Sequence, residues 1–308
     1  MKSGVSVIIC AQNAEGPVGA LLENLSRQAK GLSEGAAIEV IVADSASSDG
    51  TAQKAEEAGK GCAFPVKVIR IETPGKSKAL NAALNAARGD ILAFLDDDVI
   101  PAKNWLKNLI RAFSESEADI LGGRISAEWT EGMAPSWFTP AVAAFTPVHG
   151  LNAGIRAYDP PFSSPVGANF AVRQAVFDKI GPFDEKLGHI GKTPYGAEES
   201  ELAFRAARAG FSAVYDPDVA VVHPFSRSFW NPASMLRRAF YQGLGMARFM
   251  NRHGLAVKGN PWLSARFKPK EGAERGRPGK SPKKGRNALY FLLKTSLYAG
   301  YLYGCVFR

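Results

Sequence analysis

Cysteine is scarce. Cys10, Cys62 and Cys305 are the only three, odd in number and far apart. They form no CxxC pair and no Cys/His spacing, which argues against a zinc site and a disulfide framework and points to a reducing compartment. No secretory leader is expected either. Met1–Gly4 runs straight into Val5–Cys10, too short an apolar stretch for secretion, so a cytoplasmic protein is expected. Basic charge is absent from most of the chain as well. The formal net charge is +9, but nine Lys or Arg against two Glu fall between Arg266 and Arg286, so this tract alone carries +7. The remainder is close to neutral, which excludes a basic nucleic-acid-binding surface, and no nucleic-acid partner is expected.

What is present is an alternation of strands and helices. At 308 residues, 46% apolar and 22% charged, the chain can bury one large α/β domain or two smaller ones. Val5–Cys10, Ile38–Ala43 and Val66–Ile71 read as buried strands, each followed by a helical stretch. The run Arg88-Gly-Asp-Ile-Leu-Ala-Phe-Leu-Asp-Asp-Asp-Val-Ile-Pro101 is the centre of the pattern. Ile91–Leu95 has strand length, and Pro101 stops its continuation. Asp96, Asp97 and Asp98 then fall at the carboxyl end of a core strand, where open α/β sheets bind ligands. Continued extension would point Asp96 and Asp98 one way and Asp97 the other. Two hard oxygen ligands on one side suit Mg²⁺ or Mn²⁺, whereas the plain alternative is a solvated acidic turn. Asp44 closes the second strand and should share the edge with Asp96. Its loop, Asp44-Ser-Ala-Ser-Ser-Asp-Gly-Thr51, leads into a helix near Thr51. The expected fold class is α/β, a mostly parallel sheet with helices on both faces.

Four segments in order resemble the family 2 glycosyltransferases. Val5–Asn13 is similar to that family's first strand and loop, and Val42–Thr51 to its "VVDDGSSDGT" segment. Gly75-Lys-Ser-Lys-Ala-Leu-Asn81 with Phe94–Val99 resembles its Lys/Asn helix and Asp-x-Asp strand. Pro165–Arg173, Gly181–Glu185 and Gly196-Ala-Glu-Glu-Ser-Glu-Leu202 resemble "GANFAFRREAFEKVGGFDE" and "GAEDTEL". Together they span roughly residues 5 to 225.

The resemblance implies a GT-A fold and inverting transfer from a nucleotide-sugar donor to a saccharide or lipid-linked acceptor. It implies that Asp44 anchors the nucleoside and that Asn13, Lys78, Asp96 and Asp97 contact the donor. It implies a Mn²⁺ or Mg²⁺ ion bridging the donor diphosphate, with Asp98 as the more direct ligand, Asp96 beside it and His223 as a further ligand. The acceptor-activating base falls at Glu199, where the family has Asp, and Glu198 is the alternative. Two rival readings stand beside it. A nucleotidyltransferase would need a Gly-rich loop with Arg and Lys where Ala11–Gly16 stands. A degenerate sugar-nucleotide-binding protein would keep the fold without turnover.

The expected division is a catalytic domain to residue 225, a helical extension over 226–262, a basic linker over 263–287 and an apolar helix over 288–308. The last contains Lys294, Thr295, Ser296 and four tyrosines. Twenty residues can just span a bilayer, but these polar groups suit a helix lying on the inner face of the membrane or docked on a protein surface. The basic tract beside it would be drawn to anionic lipid.

Overall fold

The computed structural model describes residues 4–32, 37–150, 154–161, 163–191, 193–255 and 288–306. β1 (Val5–Ala11) is flanked by β2 (Ile38–Ser45) and β4 (Ile91–Asp96), with β3 (Val66–Ile71) outside β2, and these four strands are all parallel. Their side chains alternate between two cores. Val7 and Ile9 join one, with Leu21, Leu22 and Leu25 of α1 (Glu15–Lys30), Ala55 of α2 (Thr51–Gly59), and Trp105, Leu109 and Phe113 of α4 (Trp105–Glu115). Ile8 joins the other, with Ala79, Leu80 and Ala83 of α3 (Lys76–Leu84). α3 is short, because the chain leaves the helix at Asn85.

The second half turns the sheet mixed. β8 (Asn169–Arg173) inserts antiparallel between β4 and β6 (Ile120–Trp129), and β6 runs parallel to β11 (Ala213–Phe225). β5 (Ile100–Pro101) and β7 (Arg156–Ala157) pair antiparallel with β11. α6 (Gln174–Ile180) and α7 (Glu198–Arg208) cover the face of α3, so helices lie on both faces. β11 is a single strand of 13 residues. Its register against β6 slips between Asp216 and Ala220, where Pro217 has no N–H for the ladder. Asn169, buried in β8, spans the slip. It accepts from Trp105 Nε1 (2.9 Å) and donates to the carbonyls of Arg124 (3.1 Å) and Val219 (2.8 Å).

A third core lies beyond the sheet. α5 (Pro140–Ala143), α8 (Pro232–Arg252) and α9 (Ala288–Val306) bury Phe145, Phe249, Leu293 and Leu297 with Trp129, Phe225 and Trp230. α8 starts in a capping box: Ser234 N donates to Asn231 Oδ1 (3.0 Å) and Asn231 N to Ser234 Oγ (3.2 Å). α9 lies on α8 with backbones in contact. A Cβ at Gly243 would come 2.0 Å from the Leu297 carbonyl oxygen, and one at Gly300 would come 1.8 Å from that of Phe240. Among the described residues, no helix is long and apolar enough to cross a membrane. The basic tract expected over 263–287 lies outside the described residues.

Candidate active site

The carboxyl edge of β1, β2 and β4 forms the floor of a cavity of about 250 Å³. Strand register brings Ala11 beside Asp44 and Cys10 beside Asp96, so both aspartates reach the same edge. The expected alternation stops there. β4 ends at Asp96 and a turn carries Asp97 and Asp98, so all three carboxylates line the one cavity.

Each aspartate has a different partner. Asp96 Oδ1 accepts from Lys76 Nζ at 2.7 Å. Burial alone would raise the Asp96 carboxyl, but the Lys76 ammonium overcomes it and holds the group below the usual range. Lys76 Nζ also lies 3.7 Å from Glu198 Oε1. Burial opposes the Lys76 charge, yet these two carboxylates raise its pKa further above the ordinary lysine value. Asp97 Oδ2 accepts from Gln12 N at 2.9 Å, and burial with the neighbouring Asp98 and Asp96 charges pushes it up to about 7. Asp98 Oδ1 faces His223 Nε2 across 3.6 Å. His223 Nδ1 lies 3.2 Å from the Pro224 carbonyl. A carbonyl only accepts, so that bond needs the proton on Nδ1 and leaves the Nε2 lone pair towards Asp98 when the ring is neutral. Of the aspartates expected as metal ligands, Asp96 has its Oδ1 engaged by Lys76. Among the described residues, no group of three or more His, Cys, Asp or Glu stands ready to hold a metal ion.

The opposite wall comes from the C-terminal half. His189, on the β9 (His189–Ile190) and β10 (Thr193–Pro194) ribbon, is driven down to about 3 by burial, Lys76 and Arg238. Arg238 of α8 stacks its guanidinium 4.8 Å from the Trp230 ring centre and 5.5 Å from that of Phe229. Its Nε is buried without a hydrogen-bond partner, and burial lowers its pKa.

Behind Lys76 stand Glu198 and Glu199. Gly196 and Ala197 both take left-handed backbone (φ 64° and 73°), turning the chain so that α7 begins at Glu198. For Ala197 that conformation is strained. Asn13 and Ala46, the other non-glycine residues at positive φ among those described, sit in the loops after β1 and β2. Glu199 Oε1 accepts from Gly167 N at 3.3 Å, while Oε2 is buried with no partner. Burial and the Glu198 charge push Glu199 up to about 8. Glu198 is buried, and its Oε2 also lacks a partner. A Cβ on Gly167 would lie 3.1 Å from Lys76 Nζ, 3.6 Å from Glu198 Oε1 and 3.8 Å from Glu199 Oε1, so the three groups converge on one point.

A model of glycosyl transferase family 2 matches residues 6–181, more than half of the chain. The chain belongs to that family. It is a glycosyltransferase, 38% identical over 275 residues to the glucosyl-3-phosphoglycerate synthase of Mycolicibacterium paratuberculosis, covering 83% of this chain and 74% of that protein. It is 28% identical over 241 residues to glycosyltransferase AglE of Haloferax volcanii, covering 78% of this chain and 72% of that one. The mannosyltransferase PcManGT of Pyrobaculum calidifontis, solved with GDP-Man and Mn²⁺, superposes with a TM-score of 0.59 at 18% identity. That match covers 100% of this chain and 76% of that one, and it shows the GT-A fold.

Within this family 2 site, five residues named from the sequence lie off the cavity lining: Glu198 and Glu199 behind Lys76, and Asp44, Asn13 and Lys78. Asp44 is buried, and its Oδ1 accepts from Ser47 N at 3.1 Å. Asn13 clasps the same loop, accepting from Ser48 N at 2.8 Å. Lys78 is exposed, its Nζ 3.4 Å from Thr73 Oγ1. Lys76 is the lysine that enters. Successive helical residues turn by about 100°, so Lys76 and Lys78 leave α3 on opposite sides. Gly75 N donates to Ser45 Oγ at 2.9 Å, which seats the helix start with Lys76 inward. Lys76, Gln12 and His189 escaped the sequence reading. The Gly-Lys-Ser-Lys run held the signal for the first, and the helix phase decided it.

Proposed function

We propose that the chain is an inverting, divalent-metal-dependent transferase that moves a sugar from a nucleoside-diphosphate sugar to a hydroxyl of a saccharide or lipid-linked acceptor. Glu199 is the base. The observation that carries this reading is its carboxylate: one oxygen without a partner, a proton affinity raised into the working pH range, and a place beside Lys76 at the acidic edge. Glu198 is the weaker candidate, because Lys76 stands against its Oε1. Glu199 takes the proton of the acceptor hydroxyl as the new bond to the anomeric carbon forms and the bond to the departing diphosphate breaks. One carboxylate on the acceptor side fits inversion.

The donor chemistry suits Mn²⁺ or Mg²⁺. The Asp98 carboxylate and the His223 Nε2 lone pair face each other, an arrangement a cation between them would relieve. Such an ion would act as Lewis acid to the leaving diphosphate. Lys76 keeps Asp96 ionised, while Asp44 and Asn13 shape the loop on which the nucleoside rests. We assign residues 1–225 to the catalytic domain and the helices after it to an extension, with the protein cytoplasmic and peripheral to the inner membrane face.

The test is thermal stabilisation by a panel of nucleotides and nucleotide sugars with Mn²⁺, Mg²⁺ or EDTA, followed by transfer assays. A metal-dependent shift with one nucleoside diphosphate, lost in Asp98→Ala, is the expected result. A folded sample that no nucleotide stabilises overturns the reading.

A further inference from the structure

Helix α9 is buried on one side only. Leu293, Leu297, Gly300, Tyr301 and Gly304 face α8 and the third core. The other side presents Phe291, Leu292, Leu302, Tyr303 and Val306, each between 51% and 72% exposed. With Thr295 and Ala299 they form one stripe at helical spacing, and it contains no charged residue. Tyr303 meets Phe240 of α8 at 6.2 Å between ring centres, which extends the patch onto the second helix.

The seam with α8 decides how such a helix can meet a bilayer. Its inner face is locked by Gly243 and Gly300 and by bonds from Ser296 Oγ to the Leu236 carbonyl (2.9 Å) and from Asn251 Nδ2 to the Gly304 carbonyl (3.2 Å). Entering a bilayer upright would break all of these, whereas lying flat keeps them. Charge selects the partner. The sequence leading into α9 carries nine Lys or Arg against two Glu between Arg266 and Arg286. Two copies meeting at this face would bring two such tracts together, while an anionic surface attracts one.

We propose that the outer face of α9 rests on an anionic lipid bilayer, with Phe291, Leu292, Leu302, Tyr303 and Val306 embedded at the headgroup boundary. This names the surface for the peripheral attachment proposed above and does not depend on the assignment of the base.

The test is co-sedimentation of the full chain with vesicles of phosphatidylcholine, alone or mixed with phosphatidylglycerol. Binding should be about tenfold stronger to the anionic vesicles and should weaken as salt is raised. Phe291→Glu/Leu302→Glu should lower the bound fraction about tenfold with the melting temperature unchanged, since both side chains are exposed. Lys283→Gln/Lys284→Gln, a second pair that precedes the helix in sequence, should weaken only the anionic preference. The proposal is overturned if the wild type ignores anionic vesicles or the Glu pair sediments like the wild type. It is equally overturned if the wild type is a dimer that the Glu pair splits, because a second copy then covers the face. Donor turnover in the same samples without vesicles tests the transferase reading separately.

Discussion

The acidic wall of the cavity and its aromatic wall face the same space but are held differently. Asp96 sits at the last residue of a central strand, and Lys76 reaches Asp96 and Gln12 reaches Asp97 from elements anchored to neighbouring parallel strands. Phe229, Trp230 and Arg238 come from the start of α8 and the loop before it, and their support is the third core, where Trp230 stacks on Phe225 at 4.5 Å. Backbone ladders position the first wall. Side-chain packing positions the second. Perturbing one should therefore leave the other standing.

Removing the proposed base should have the largest effect. Glu199→Gln should cut turnover about 10³-fold while donor binding persists. In the wild type, turnover should climb with pH to about 8, as Glu199 loses its proton, and the variant should lack that limb. A variant that keeps the limb assigns it to another group.

Next comes Lys76→Met. It leaves the partly buried Asp96 and the buried Glu198 without their cation, a loss of about 3 kcal/mol in urea unfolding. Unchanged stability would mean that the acidic wall does not need its lysine. Gly300→Leu attacks the other wall. A side chain there must force α9 off α8, costing about 2 kcal/mol and raising the donor KM through a displaced Arg238, with the pH limb unaltered. A shifted limb would show that the two walls are coupled.

Asp97→Asn should be milder and depends on pH. The native carboxyl titrates near 7 against 3.8 for the free group, so the folded state prefers the proton. The wild type should lose stability as pH rises from about 4 through 7. The Asn variant, which cannot ionise, should be the more stable of the two at pH 8 and gain nothing at pH 4. Smallest of all, Lys78→Ala should change stability by less than about 0.5 kcal/mol and leave donor affinity alone, because its side chain points away from the cavity.

The difference between the walls also explains what could be read from the sequence. Strand ends announce themselves, so Asp44, Asp96 and the shared edge were legible from apolar runs and the residues that close them. The glutamates at 198 and 199 came through the family resemblance. The phase of α3 was not legible, since a run with two lysines does not say which one opens the helix. The turn at Asp97 was hidden because alternation predicts only while the chain stays extended. His189 and the inward aim of Arg238 depend on contacts between segments distant in sequence, and no local pattern encodes those.

The glycine seam between α8 and α9 also fixes the attitude of the outer helix. With backbone against backbone at Gly243 and Gly300, α9 can neither slide by a turn nor roll, because either motion drives a side chain into a carbonyl. The azimuth of its outer face is thereby tied to α8, and α8 carries Arg238 into the cavity. Whatever meets that outer face meets the catalytic domain in a single orientation, with the mouth of the cavity at a set angle to the surface. The pair acts as a keel.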